Sequence, residues 1–107
     1  MSGTSRRSKL EALLTASPDD QLLRYMLALE LEKEADHERS LELLSQLTHD
    51  AVPYVPAYLM AGQQLTRLGR TVDARAMFER GIQAARGQGN SHAEGEMTGF
   101  LAALPSA

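Results

Sequence analysis

The sequence contains no cysteine and no tryptophan, and aromatic residues make up only 5% of it. Without cysteine the chain has no disulfide framework, no thiolate nucleophile and no sulfur ligand for a metal. The scarcity of aromatic rings disfavours base stacking, and the net charge of −3 disfavours binding to a phosphate backbone. We therefore expect no nucleic-acid partner.

Long apolar runs are also missing. No window approaches the ~18 apolar residues of a membrane span, and Arg6 and Arg7 are not followed by an apolar run of signal-peptide length. These absences predict a cytoplasmic protein without membrane contact. The 107 residues, 43% of them hydrophobic and 23% charged, are enough for one domain with a globular core.

Catalytic and metal-binding motifs are not found in the sequence. His37, His49 and His92 lie in different segments, and no HExxH motif, phosphate-binding loop, nucleophile elbow or dinucleotide fingerprint occurs. The glutamates of residues 30–34 fall on a helix expected to face solvent, where nothing would shift their pKa values. We expect no catalytic activity, no cofactor and no metal.

Proline, glycine and capping residues divide the chain into six predicted helices, and no stretch alternates with a period of two. Gly69 is predicted as a left-handed residue that ends the fourth helix. Helix starts are predicted at Ser17-Pro18 and Ser91-x-x-Glu94, and Ser8-x-x-Glu11 has the pattern of a capping box partway into the first helix. The helices are expected at about residues 5–16, 18–34, 37–48, 56–69, 72–86 and 91–104. The fold class is therefore all-α.

An internal repeat of 34 residues accounts for the order of small and large side chains. Shifting the chain by 34 mostly places small residues on small ones and large apolar residues on large ones. Residues 55–88 carry the pattern Tyr58, Ala61-Gly62, Leu65, Gly69, Ala74, Phe78 and Gly81. Residues 21–54 carry Leu27-Ala28, Leu31, Ala35, Ser40, Leu44 and Leu47. In this earlier unit Arg24 stands in place of the large apolar residue and Ala35 in place of the turn glycine.

This pattern resembles the tetratricopeptide repeat family. The resemblance implies an α-solenoid of antiparallel helix pairs. A half repeat is expected over 4–20, full repeats over 21–54 and 55–88, and a capping helix over 91–104. The glycines would then serve close packing between helices. Gly62 is expected to contact Ala74, and Gly81 is expected to receive the next helix.

The resemblance also implies a binding groove on the first helix of each pair. Its groove positions fall on Leu22, Tyr25, Met26, Leu29, Glu32 and Lys33, then on Pro56, Leu59, Met60, Gln63, Thr66 and Arg67. The capping helix is expected to add Ala93, Met97 and Phe100. We expect partner contacts from Leu22, Tyr25, Met26, Leu29, Lys33, Leu59, Met60, Gln63, Arg67 and Met97. The cations with which some members hold a C-terminal carboxylate are absent at the matching positions, so an apolar or amphipathic protein segment is the expected ligand.

Three interpretations of these apolar side chains stay open. They are core residues covered by the capping helix, or a groove for a partner protein, or a contact with a second copy. Residues 21–54 hold three basic and seven acidic side chains, whereas 55–88 hold five arginines and two acids, so head-to-tail stacking is a further hypothesis. The predicted function is a non-catalytic protein-interaction module, and the alternative is a self-assembly element without a separate ligand.

Overall fold

A computed structural model describes residues 5–106, and over this range the chain forms six α-helices and no strand. The helices are α1 (Arg6–Ala16), α2 (Gln21–Lys33), α3 (His37–Thr48), α4 (Val55–Arg67), α5 (Thr71–Gly87) and α6 (Ser91–Ala103). The all-α prediction is confirmed. Residue 4, the predicted start of the half repeat, lies outside the described residues.

The first helix begins where it was predicted, and the capping residues of two later helices differ from the prediction. Ser5 caps α1 by accepting a hydrogen bond from the Ser8 backbone N–H, so Ser8 lies inside the helix. Asp20 caps α2, because Ser17 instead opens a turn closed by the Asp20 N–H on the Ser17 carbonyl at 3.1 Å, with proline at its second position. Asn90, not Ser91, caps α6.

Three helices end in the same hydrogen-bonded turn, each with one left-handed residue. Gly69 has φ of 77° and Gly89 has φ of 69°, as glycine readily adopts. Ala35 occupies the equivalent turn with φ of 62°. In that turn the Asp36 N–H donates to the Leu31 carbonyl at 2.9 Å, so alanine keeps the geometry that glycine gives elsewhere.

Each helix packs on the helix that follows it in the chain, which is the arrangement of an α-solenoid. The starts of α2 and α4 are 34 residues apart. Small side chains of both helices face α3: Ala28 of α2 and Ala57 and Ala61 of α4 are fully buried in one cluster with leucines of α3. Small residues allow helix axes to approach at the close end of the usual ~8–10 Å range.

Two helical glycines lie where no side chain fits. A Cβ atom on Gly62 would lie 2.5 Å from Cζ of the buried Phe78, so Phe78 is the side chain that requires glycine at this position of the α4–α5 contact. The predicted contact of Gly62 with Ala74 stays a prediction. A Cβ on Gly81 would lie 2.6 Å from Tyr58 Cβ and closer still to the sulfur of Met97. Gly81 therefore receives α6, as predicted.

Arg24 replaces an aromatic ring of the repeat with an ion pair. It stands 34 residues before Tyr58, whose hydroxyl donates to the Thr48 carbonyl at 3.1 Å. Arg24 instead donates to both carboxylate oxygens of Asp50, at 2.7 and 3.1 Å. These hydrogen bonds, with one from Gln21, hold the pKa of Asp50 below its usual value. Arg24 therefore links α2, and Tyr58 links α4, to the end of α3.

A buried polar chain joins α2, α3 and α4. The Gln64 amide donates to the Ser40 hydroxyl at 3.1 Å, and that hydroxyl donates to the Ala28 carbonyl at 2.7 Å. Gln64 is fully buried, and its side-chain oxygen has no donor among the described residues. No sequence signal distinguishes this buried hydrogen-bond chain, because the preceding Gln63 has the same side chain as Gln64 and is only partly buried.

Candidate functional site

The predicted contact residues of α2 and α4 lie at helical spacing along one face of each helix. We call these nine residues the groove stripe: Leu22, Tyr25, Met26, Leu29 and Lys33 on α2, and Leu59, Met60, Gln63 and Arg67 on α4. None of the nine is fully buried. Leu22 is 55% exposed, so more than half of its side chain is open to contact.

The apolar members of the groove stripe divide into two groups. Four of them, Tyr25, Met26, Leu59 and Met60, pack one side against the buried clusters beneath them. Tyr25 also lies 5.4 Å from the ring of Tyr54, and burial raises its pKa. Leu22 and Leu29 pack against none of the buried clusters in the described chain. Because these two leucines do not pack on the core, they distinguish a surface role of the groove stripe from a core role.

The prediction that Met97 contacts a partner is wrong, because Met97 is fully buried against Gly81. Ala93, the other groove position buried in α6, lies in the same core cluster. The cause is a change of register: α6 starts at Ser91, 36 residues after Val55, whereas the prediction carried the 34-residue spacing forward. The two additional residues come from the long helix α5 and its turn.

The corrected register gives α6 a different face beside the groove stripe. The positions that match the six predicted groove positions of α4 are His92, Gly95, Glu96, Gly99, Ala102 and Ala103, and all six are exposed. A Cβ atom on Gly95 or Gly99 would meet no atom within 4 Å. Unlike Gly62 and Gly81, these two glycines have no packing role within the described chain. They leave the backbone of α6 open to close approach.

A small cavity lies where α4 and α6 meet. It measures about 180 Å³ and is lined by Gln63, Thr66, Arg67, Phe100, Ala103 and Leu104. Phe100 forms one wall, with its ring stacked 5.8 Å from the ring of Phe78, and Leu104 is buried behind it. The groove stripe thus ends in a cavity with an apolar wall and a cation at its rim. The sequence pattern missed Ala103 through the same error of register, whereas Leu104 matches no groove position in either register.

Arginines within the chain pair with the acidic segment of residues 30–38. Glu30 and Glu34 pair with Arg6 and Arg7 of α1 at 3.2 and 2.9 Å. Arg67 approaches Glu32 at 3.4 Å, and Arg70 approaches Glu38 at 2.8 Å (His37 also contacts Glu32). These ion pairs join the acidic segment to arginines of the same copy, and head-to-tail stacking of copies stays a prediction.

Other chemistry in the described residues is sparse. Residues 5–106 contain no group of three or more histidine and carboxylate side chains arranged to hold a metal. No helix in the same range is long and apolar enough to cross a bilayer. A cavity of about 500 Å³ lies between α3 and α5 and carries both arginines and carboxylates, so it favours neither anions nor cations.

Known proteins resemble the chain over most of its length, although no protein-family model matches it. A TPR repeat-containing protein of Pseudomonas aeruginosa is 32% identical over 98 residues, which is 92% of this chain and 93% of that protein. The solution structure of a tetratricopeptide repeat domain protein from Salinibacter ruber has a TM-score of 0.75 at 33% identity, covering 79% of this chain and 86% of that one.

A third similarity is to the solution structure of a Bordetella parapertussis protein, with a TM-score of 0.75 at 28% identity. It covers 92% of this chain and 86% of that one. Similarity in sequence and similarity in structure therefore agree with the resemblance to tetratricopeptide repeats. The chain belongs to the tetratricopeptide repeat family.

Proposed function

We propose that the chain is a non-catalytic interaction module that holds an apolar or amphipathic segment of a partner protein along the groove stripe. The observation that carries this proposal is the pair Leu22 and Leu29, which share a face of α2 without packing on the core clusters. Large apolar side chains left on a surface at helical spacing are typical of helix-in-groove recognition. A cytoplasmic location remains a prediction from the sequence.

The residues around these leucines suit an adaptable contact. Met26 and Met60 are partly buried, and methionine side chains adjust their shape to a ligand at small cost. Tyr25 and Leu59 supply further apolar area from partly buried positions. Lys33 and Arg67 follow at the ends of their helices and are exposed, so the stripe changes from apolar to cationic along its length. A partner helix with an apolar face and acidic residues toward one end fits this order.

Paired substitutions test the proposal. Leu22→Glu and Leu29→Glu place charges on the groove stripe at positions that do not pack on the core clusters, so both variants are expected to fold and to bind the partner more weakly. Val72→Glu is the matched control, because Val72 is 73% exposed at the start of α5 and lies outside the stripe. Each of the three variants would be used to affinity-purify the partner protein, and the amount of partner that each one captures would be measured. Equal losses for Val72→Glu and the leucine variants would refute the groove.

The competing occupant of the groove stripe is a second copy of this chain. Light scattering across protein concentration and salt separates the two cases. A mass that stays at 11.7 kDa leaves the groove to a different protein. A defined dimer that Leu22→Glu dissociates and Val72→Glu does not would instead establish self-assembly through the same face.

A further inference from the structure

The cavity between α4 and α6 has the size of a single large side chain. Its volume is about 180 Å³, and an apolar protein cavity of roughly 150 Å³ holds a benzene ring. Phe100 and Leu104 make its wall apolar, and the stacking of Phe100 on the buried Phe78 fixes that wall in place. A preformed wall lowers the entropy lost when a side chain enters.

The positive charge of Arg67 at the rim of the cavity favours a ligand that carries a negative group beside its apolar side chain. Of the six lining residues in the part of the chain that the structure describes, Arg67 alone is charged. Its guanidinium is largely exposed and reaches Glu32 only at 3.4 Å, so it retains donors for a second carboxylate. A ligand with a carboxylate next to its apolar group complements both parts of this cavity.

We propose that this cavity is the anchor site of the module and takes a large apolar side chain, phenylalanine or leucine, with an aspartate or glutamate one turn away on the same partner helix. The proposal rests on the proposed function, because the anchor lies at the end of the groove stripe. Gly95 and Gly99 precede Ala103 at four-residue intervals on α6, so a helix can approach the α6 backbone closely as it enters the cavity. A helix that continues along α4 carries its carboxylates on side chains and not at a chain end.

A small probe tests the cavity without the partner. Binding of 3-phenylpropionate to the ¹⁵N-labelled protein would be followed by amide chemical shifts, with 3-phenylpropanamide as the neutral equivalent. We expect saturable shifts at Gln63, Arg67 and Ala103, and about threefold weaker binding of the neutral amide, as expected for one exposed ion pair. Equal affinity for both compounds, or no saturable shift at these residues, would overturn the proposal.

Two tryptophan variants control the location. Ala103→Trp places an indole in the mouth of the cavity, whereas Ala102→Trp makes the same change at the preceding exposed residue, which does not line it. The first is expected to abolish probe binding and the second to preserve it. Equal binding by both variants would place the probe elsewhere. If the probe does not bind the cavity while Leu22→Glu still weakens partner binding, the anchor proposal is wrong and the groove proposal stands. If the probe binds the cavity but Leu22→Glu leaves partner binding unchanged, the cavity binds its ligand and the groove proposal is wrong.

Helical peptides with blocked ends identify the source of the carboxylate. A peptide with phenylalanine and glutamate one turn apart is expected to bind about threefold more tightly than its glutamine equivalent, and Arg67→Gln is expected to remove that difference. A glutamine peptide that ends in phenylalanine with a free carboxylate is expected to bind no better than the blocked glutamine peptide. Tighter binding of that third peptide would overturn the assignment to a side-chain carboxylate.

Discussion

Replacing Gly62 by alanine adds one methyl group to the contact between α4 and α5. The new carbon would lie 2.5 Å from Phe78 Cζ and 2.7 Å from Phe78 Cδ1, whereas carbon atoms pack best at about 3.5–4.0 Å. Phe78 is fully buried, so its ring has little room to withdraw. Overpacking of this kind costs about 1–3 kcal/mol, and the higher helix propensity of alanine returns about 1 kcal/mol. Because the Phe78 ring has little room to withdraw, we expect the upper part of this range, about 2–3 kcal/mol, and therefore a net loss in the free energy of unfolding of about 1–2 kcal/mol.

Gly95→Ala is the matched control for this substitution. Gly95 also lies inside a helix, but a Cβ there would meet no atom within 4 Å. Only the higher helix propensity of alanine then matters, so the free energy of unfolding of this variant is expected to rise by about 0.5–1 kcal/mol. Identical chemical changes at two helical glycines are thus expected to act in opposite directions.

Urea unfolding followed by circular dichroism at 222 nm measures the difference. A dependence of about 1.5 kcal/mol per molar urea converts these free energies into a midpoint about 1 M lower for Gly62→Ala and about 0.5 M higher for Gly95→Ala. A midpoint for Gly62→Ala at or above that of the unmodified protein would refute the close α4–α5 contact. The reasoning about helix register would fail with it.

Three further substitutions test local features of the fold. Ala35→Gly is expected to raise the unfolding free energy by about 0.5–1 kcal/mol, because alanine at φ of 62° is strained, and an unchanged urea midpoint would contradict this. Asp50→Asn is expected to lower the free energy of unfolding by about 1 kcal/mol at pH 7. Because Arg24 depresses the folded pKa of Asp50 below 3.8, the original protein should lose this stability as pH falls through that pKa, and the variant should not; equal pH profiles would exclude the ion pair. Gln64→Met is expected to gain about 1 kcal/mol by removing an unpartnered buried oxygen while Ser40 keeps its bond to α2, and a loss in thermal unfolding would count against it.

Helix content and pairing were predictable because they depend on local signals that repeat. Gly69 ends α4 with a positive φ, as glycine after an apolar periodic segment predicts. The 34-residue spacing of small and large residues predicted that Gly81 receives the next helix. Both signals need only the order of residues within one unit.

Capping residues were harder to predict because several side chains nearby can serve. Ser17 and Asp20 are both good capping residues, and only the turn through Pro18 decides that the second one caps α2. Asn90 and Ser91 present the same choice at α6. Such cases depend on the path of the chain between helices, and residue preference alone does not determine it.

The exposed face of α6 was mispredicted because the length of α5 differs from that of α3. The repeat gives no information after its last unit, and α5 extends to 17 residues where α3 has 12. The resulting shift by two residues buries Met97 and exposes Gly95 and Gly99. The anchor cavity depends on this shift, so it could be found only from the packing of α4 against α6.

Photocrosslinking from defined positions tests the central claim, that a partner lies along the groove stripe. The photoreactive residue p-benzoylphenylalanine would replace Leu22, Leu29 or Val72 in the full chain in its native host, and adducts would be resolved by mass. We predict one shared adduct from Leu22 and Leu29 and none from Val72, with a partner mass that differs from 11.7 kDa. Equal adducts from all three positions, or none from the two leucines, would contradict the account.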